Sequence, residues 1–152
     1  MLEDTTGTKV FIGPATTSDD VESYDDLTGW VEVKLVESFG EIGDESSVIT
    51  FNSLSDGRVR KRKGLRDAGT TTINCGVDRT DPGQTAMVAA EKSKARFAFK
   101  ITTPDPEGAA SDTDTYFGAL VTSVRTNRGA NNAVVMRNFG LALDTEVIDV
   151  VA

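Results

Sequence analysis

The chain has 152 residues, no histidine, one cysteine and a formal net charge of −8. A chain of this length suits one domain and can bury a core without a metal or a disulfide. The lack of histidine excludes histidine-dependent triads and HExxH zinc sites, and one cysteine excludes an internal disulfide. Its adjacent carboxylates lie in polar segments, where nothing would raise a pKa. We therefore expect no cofactor and no enzyme activity.

The N-terminal sequence MLEDTTGTKV has neither the basic start nor the apolar core of a signal peptide. No apolar run approaches the roughly 20 residues that cross a bilayer. We expect a soluble protein that is made in a cytoplasm and does not insert into a membrane.

Apolar residues recur with period two along most of the chain, which is the pattern of β-strands. The predicted strands, in chain order, are KVFIG (9–13), WVEVKLVE (30–37), SVITFN (47–52), TTTINCGV (70–77), ARFAFKITT (95–103), TYFGALVTSVRT (115–126) and one or two strands within 132–151. In the second strand, Val31, Val33 and Leu35 are predicted to share one face. The Gly and Asn residues of TNRGANNA (126–133) predict a hairpin there.

One segment has helical character instead. Asp81 suits an N-cap and Pro82 the first helical position, and the following QTAMVAAEKSKAR is rich in helix formers. A helix is predicted over about residues 82–94, with a narrow apolar stripe at Met87 and Ala90 that suits packing on a sheet.

About seven strands and one flanking helix predict a mainly β domain, either a β-sandwich or a partly closed barrel. Long polar stretches remain between these elements, at 14–29, 53–69 and 104–114. Loops of 12 or more residues without structure are uncommon in a compact domain unless they have a function.

The segment RVRKRKGLRD (58–67) differs in charge from the rest of the chain. Six of the nine residues 58–66 are basic. Without them, the other ten Lys and Arg stand against 24 Asp and Glu, a net charge of −14. Residues 1–56 alone hold 13 acidic residues against Lys9 and Lys34, a net of −11.

Three interpretations of the basic run are open: nucleic-acid binding, a solvated loop, and contact with an acidic protein surface. The run contains no aromatic residue to stack on a base, and no recognition helix follows it. The remaining −14 would repel phosphate. Contact with an acidic protein surface is the interpretation we favour.

The chain resembles a known family in an ordered set of segments: FIGPATT, then WVEVKLVESFGEIGDESSVITFNSLSDGRVRKRKGLRDAGTTTINCGV, the helical DPGQTAMVAAEKSKARFAFKIT, YFGALVTSV and VVMRNFGLAL. It is similar, over most of its length, to the major tail tube protein of long-tailed bacteriophages with non-contractile tails. The resemblance implies a β-sandwich with a flanking helix, hexameric rings, and stacking of these rings into a hollow tube through which DNA passes. Tube proteins of contractile tails and type VI secretion are related.

The resemblance also implies partners and a location. The partners would be further copies of the chain and the tape-measure, tail-tip and terminator proteins, with DNA passing transiently through the lumen. The protein would be assembled in the host bacterial cytoplasm and reside in the virion tail. One domain is expected over 1–152, with segments at about 1–28 and 145–152 used in subunit contacts. The rival functions are a nucleic-acid-binding module using residues 58–66, and a tail terminator or connector of the same fold.

In this setting the basic run is predicted to contact another subunit or ring. Its contact residues are Arg58, Arg60, Lys61, Arg62, Lys63 and Arg66. Their acidic partners are expected among Asp19, Asp20, Glu22, Asp25, Asp26, Glu41, Asp44 and Glu45.

Overall fold

A computed structural model describes Leu2 and residues 5–107 and 111–151. Residues 1, 3 and 4 of the predicted N-terminal segment, 108–110 of the third polar loop and 152 of the C-terminal segment lie outside the described residues. The described chain is mainly β with a single α-helix, which confirms the predicted class. Its elements are β1 (Lys9–Ala15), a 3-10 helix (Val21–Asp26), β2 (Val31–Val33), β3 (Val36–Phe39), β4 (Glu45–Asn52), β5 (Val59–Asp67), β6 (Thr70–Gly76), α1 (Pro82–Lys92), β7 (Phe97–Thr103), β8 (Thr113–Asn127), β9 (Met136–Leu143) and β10 (Ile148–Val151).

Eight of these strands form one antiparallel sheet in the order β2-β1-β7-β8-β9-β6-β3, with β10 pairing on β8. The edge strands β2 and β3 each pair with one neighbour, so the described residues form no closed barrel. The described residues form ten strands, where about seven were predicted. The difference arises because the strand predicted at 30–37 is divided, the segment 132–151 holds two strands, and the basic run is itself a strand.

The two edge strands of the main sheet are joined by Lys34 and Leu35. The N–H of Lys34 donates to Asp81 Oδ2 at 2.9 Å, and its carbonyl oxygen accepts from Gln84 Nε2 at 3.0 Å. Leu35 has a positive φ of 59°, and its side chain is exposed. The prediction of one strand over 30–37 with Leu35 on the apolar face is therefore wrong. The start of the helix takes the backbone hydrogen bonds that a continuous strand would have used.

Helix α1 begins at the predicted position and ends two residues before the predicted end. Asp81 caps it by accepting hydrogen bonds from two backbone N–H groups of the first turn, at 3.3 Å each. Pro82 occupies the first helical position, where the missing N–H costs nothing. The helix ends at Lys92 because Ser93 is extended, with a ψ of 148°.

The main sheet carries one helix on each side. Neighbouring residues of a strand point to opposite faces, so Tyr116 and Phe117 of β8 belong to different apolar clusters. Phe117 stacks on Phe99 with ring centroids 5.5 Å apart, in the cluster that contains Met87 of α1. Tyr116 lies in the other cluster with the fully buried Tyr24 of the 3-10 helix. Helix α1 and the 3-10 helix therefore lie on opposite sides of β7 and β8.

Strands β4 and β5 form a separate two-stranded antiparallel sheet. Since the basic run lies in β5, the prediction of a polar loop over 53–69 is wrong. The run lacks the alternation of apolar and polar residues from which strands are predicted. It becomes a strand because its backbone pairs with β4, from Glu45 opposite Asp67 to Asn52 opposite Val59.

Candidate assembly surfaces

The β4–β5 hairpin is shaped by two glycines. Residues 53–58 connect its strands and include Gly57, whose φ of 63° suits a residue without a side chain. The pairing register shifts where β5 holds Gly64. A Cβ on Gly64 would collide with Ser47 Oγ, so glycine allows the two strands to pass closely at that point.

The basic side chains of the hairpin occupy both of its faces, and all six predicted contact residues are exposed. Cross-strand partners share a face. The partners are Arg60 with Phe51 and Arg62 with Ile49 on one face, and Lys61 with Thr50 and Lys63 with Val48 on the other. Each face therefore combines cations from β5 with apolar or uncharged side chains from β4.

The hairpin also exposes apolar side chains, which were not predicted as contact residues from the sequence. The large apolar residues that it leaves exposed are Val48, Ile49, Phe51, Leu54, Val59 and Leu65. Phe51 is 67% exposed and Leu65 86% exposed, and neither belongs to a core cluster. The period-two pattern of SVITFN predicted the strand, but it carries no information about what covers the strand.

Two of the predicted basic residues make ion pairs within their own subunit. Arg66 Nη2 lies 2.7 Å from Asp44 Oδ2, and Arg60 Nε lies 2.6 Å from Asp56 Oδ2. The two arginine side chains are 66% and 63% exposed, so each pair contributes about 0–1 kcal/mol. Four basic residues form no ion pair with any described residue: Arg58, Lys61, Arg62 and Lys63.

The predicted acidic residues lie in two separate places. Glu41, Asp44 and Glu45 lie just before or at the start of β4, at the base of the hairpin. The remaining five, all exposed, belong to the 3-10 helix or precede it: Asp19, Asp20, Glu22, Asp25 and Asp26. Asp19 pairs with Arg96. The other four form no ion pair within the described residues, and we call them the acidic ridge.

Arg96 fixes the chain that leads into the acidic ridge, a role that no local sequence pattern indicated. Its guanidinium donates to Asp19 Oδ1 at 2.8 Å, to Asp144 Oδ2 at 3.0 Å and to the carbonyl oxygen of Ser18 at 2.8 Å. Burial lowers the pKa of Arg96, because it disfavours the charged guanidinium. The pKa is nevertheless raised overall by the hydrogen bond to Asp19, the charge of Tyr24 and the hydrogen bond to Asp144. The 3-10 helix is therefore held against the body of the subunit.

Two further groups with shifted pKa values, Cys75 and Tyr116, are buried in the core clusters. Burial, with a smaller effect from the charge of Asp81, raises the pKa of the Cys75 thiol to about 12, so the thiol stays protonated and unreactive. Burial and Asp114 raise the pKa of Tyr116 to about 12.

In the described parts of the chain, no three His, Cys, Asp or Glu side chains are grouped to hold a metal ion. No described helix is long and apolar enough to cross a membrane.

Comparison with known families identifies the class of protein. The model of the phage tail tube protein family matches residues 2–147. The chain belongs to this family. Phage tail tube proteins are structural components of the tail and not enzymes. A search of curated proteins finds no match.

Several solved structures have a similar fold. The SPP1 tail tube protein superposes with a TM-score of 0.68 at 12% identity, covering 95% of this chain and 77% of that chain. A chain of the anti-feeding prophage cap, which terminates the tube of that particle, superposes with a TM-score of 0.71 at 18% identity. The match covers 100% of this chain and 93% of that chain. A chain from the tail of an empty GTA particle, which has C6 symmetry, superposes with a TM-score of 0.58 at 12% identity. The match covers 93% of this chain and 95% of that chain. At these identities the likeness concerns the fold alone.

Proposed function

We propose that six copies of this chain form a ring, that rings stack into the tail tube, and that DNA passes through the channel of the tube. Membership of the tail tube family supports the tubular assembly. The C6 symmetry of the GTA tail, whose subunit shares the fold, supports six copies per ring. The tape-measure, tail-tip and terminator proteins are the further partners, and the host bacterial cytoplasm is the place of assembly.

The observation that carries this proposal is the exposed β4–β5 hairpin. An isolated two-stranded hairpin is only marginally stable in water. This hairpin leaves Val48, Ile49 and Phe51 exposed by 61%, 59% and 67%. Monomeric proteins seldom expose a large contiguous apolar patch, and fully burying a side chain of this kind contributes about 1.5–3 kcal/mol. We infer that another copy covers the hairpin.

Both faces of the hairpin are covered in the proposed tube. Ile49 and Phe51 lie on one face and Val48 on the other, because cross-strand pairing fixes their orientation. A partner on one face alone would leave apolar side chains in water on the opposite face. The hairpin therefore inserts between two surfaces instead of lying flat on one.

The cations of the hairpin select the surface that it meets. Exposed ion pairs contribute about 0–1 kcal/mol each, so their main effects are on partner choice and register. A stack of rings needs one end of each ring to complement the opposite end of the next. We propose that Arg58, Lys61, Arg62 and Lys63 face acidic residues of the adjacent ring. The candidates are those predicted from the sequence, apart from Asp19 and Asp44, which are paired within the subunit.

Segments 1–28 and 145–152 are proposed to add contacts between subunits. Strand β10 pairs with β8 only, so its other edge is free among the described residues, and an open strand edge can accept another strand. Val151 at its end is 68% exposed, and Leu2 at the other end of the chain is 94% exposed. These side chains would be buried only in the assembly.

The net charge of −8 suits a tube that carries DNA. A lumen of negative potential repels phosphate, so DNA can slide without binding. Nucleic-acid binding by residues 58–66 is the competing interpretation, and it requires a DNA affinity that falls steeply with salt. The likeness to the anti-feeding prophage cap favours a second candidate, a tube terminator, which would stop at one ring.

The proposal is tested with a double variant of the hairpin, Lys61→Glu with Arg62→Glu, which reverses two of the cations that form no ion pair within the described residues. The wild-type protein is expected to form tubes with a central channel in electron micrographs, whereas the variant should give rings that do not stack. The matched control is Arg125→Glu with Arg128→Glu, because these two exposed arginines lie outside the hairpin, at the end of β8 and just beyond it. Normal tubes from the hairpin variant would reject the role of the basic run. Single rings from the wild type would favour the terminator.

A further inference from the structure

A second cationic surface lies beside helix α1, far from the hairpin in sequence. Arg79, Lys92 and Arg137 line an open groove of about 410 Å³, together with Val88 and Ala89 of the helix. None of the three cations forms an ion pair with a described residue. In a chain with 24 acidic residues, three unpaired cations around one groove indicate an anionic partner from outside the subunit. We call this surface the α1 groove.

The groove keeps a positive charge although one carboxylate also lines it. Asp78 Oδ1 accepts hydrogen bonds from the backbone N–H of Thr80 at 2.9 Å and from its hydroxyl at 2.7 Å. These hydrogen bonds lower the pKa of Asp78. Its charge offsets one of the three cations, so the local balance is three positive charges against one negative.

The floor of the α1 groove is held rigidly. Gln84 is 1% exposed, and its side-chain amide donates to the carbonyl oxygens of Lys34 at 3.0 Å and Gly76 at 2.8 Å. Its Oε1 accepts from the N–H of Asp78 at 3.2 Å. Arg137 Nε is buried nearby without a hydrogen-bond partner among the described residues. A groove that is shaped in advance loses little conformational entropy when it binds a partner.

The complementary surface lies on the opposite side of the same subunit. The acidic ridge, formed by Asp20, Glu22, Asp25 and Asp26, is exposed, and within the described residues it has no ion pair. Helix α1 packs on the Phe117 side of β8, whereas the 3-10 helix packs on the Tyr116 side. Two unlike surfaces on opposite sides of one subunit suit a head-to-tail contact, and such a contact closes a ring when its rotation divides a full turn evenly.

We propose that the acidic ridge of one copy binds in the α1 groove of the neighbouring copy within a ring. The inference rests on the proposed ring and adds the surfaces through which neighbours meet. It assigns the ridge to the contact within a ring and leaves Glu41 and Glu45 as the acidic partners of the hairpin between rings. Arg96 becomes a positioning residue, because it holds the segment before the ridge through Asp19.

Charge exchange between the two surfaces provides the test. A groove variant, Arg79→Glu with Lys92→Glu, and a ridge variant, Glu22→Lys with Asp25→Lys and Asp26→Lys, each place like charges at every contact, since three reversals change the ridge from −4 to +2. Each alone should need at least a tenfold higher concentration than the wild type to form rings. An equimolar mixture should restore rings with alternating copies, because every contact is again complementary and six is an even number. Arg125→Glu with Arg128→Glu is the control and should form rings like the wild type.

Oxidative cross-linking provides a second readout that does not need stable rings. A chain carrying Asp25→Cys and Lys92→Cys should give a ladder of disulfide-linked multimers, whereas Glu41→Cys with Lys92→Cys should not. The native Cys75 is fully buried and does not interfere. Rings from either charge variant at the wild-type concentration, failure of the mixture to restore them, or absence of the ladder would overturn the inference. Failure of the wild type itself to form rings, with the ladder present, would instead overturn the proposed six-membered ring.

Discussion

Asp81 joins the helix to the two edges of the main sheet, and its replacement by alanine is expected to destabilise the whole subunit. Its side chain is 2% exposed. One oxygen accepts from the N–H of Gly83, and the other accepts from the N–H groups of Gln84 and Lys34. Asp81→Ala removes all three acceptor contacts, and the methyl group that remains can replace none of them.

The expected decrease in the free energy of unfolding of Asp81→Ala follows from these three contacts. Loss of an N-cap costs about 1 kcal/mol, within a range of roughly 0.5–2 kcal/mol. A part-buried N–H that loses its acceptor, here that of Lys34, costs about 1–3 kcal/mol more. The free energy of unfolding should therefore fall by about 2–4 kcal/mol. Asp81→Asn keeps one acceptor oxygen and should lose about half as much.

Urea unfolding, followed by the fluorescence of the single tryptophan, Trp30, measures this loss. With a urea dependence of about 2 kcal/mol per molar, the midpoint of Asp81→Ala should fall by about 1–2 M. The control is Glu107→Ala, since this side chain is exposed and forms no ion pair with a described residue. A loss below about 0.5 kcal/mol in Asp81→Ala would refute the assignment of Asp81 as the link between helix and sheet.

Three further changes test other parts of the structure. Gly83→Ala should destabilise the subunit by about 1–3 kcal/mol, measured by urea unfolding, because the new Cβ would collide with the backbone of Glu32. Arg96→Ala should cost about 1–3 kcal/mol in the same assay and increase proteolysis near residue 18; the loss stays moderate because its acidic partners are largely exposed and regain water. Burial raises the pKa of the Cys75 thiol from 9.0 to about 12, so between these pH values the native state binds a proton that the unfolded state has lost. The free energy of unfolding should therefore fall as the pH rises from 9.0 to about 12, by about 1.4 kcal/mol per pH unit from this group. In Cys75→Ala this contribution to the pH dependence should be absent, and an equal slope in both proteins would contradict it.

The elements that the sequence predicted well are those with local causes. Helix α1 follows from Asp81 and Pro82 beside it in sequence, and the hairpin of β8 and β9 follows from the Gly and Asn residues between them. The errors have distant causes. The strand predicted at 30–37 is divided because Asp81 and Gln84, about 50 residues away, bind the backbone of Lys34.

The basic run was misassigned for a different reason. Its strand depends on backbone pairing with β4, and its side chains contribute nothing to the core. The cations were predicted from the sequence as a contact surface, which stays a prediction, whereas the exposed apolar residues beside them, such as Phe51 and Leu65, were not predicted. Their exposure depends on where the hairpin stands relative to the main sheet, which no local pattern encodes.

The α1 groove could not be found from the sequence at all. Arg79, Lys92 and Arg137 are spread over nearly 60 residues, and each is unremarkable in its own segment. They meet because β9 pairs with β6 next to the start of the helix. The acidic ridge, by contrast, could be recognised in the sequence as a charge cluster. Its position on the side of the sheet opposite α1 could be learned only from the three-dimensional fold.

Cryo-electron microscopy of the assembled protein is the most direct measurement of the central claim, the insertion of the β4–β5 hairpin between subunits. We expect a tube of six-membered rings in which both faces of residues 45–67 contact the adjacent ring or a neighbouring copy, with Phe51 and Leu65 buried. Tubes in which the hairpin projects freely into solvent, with these side chains exposed, would contradict it.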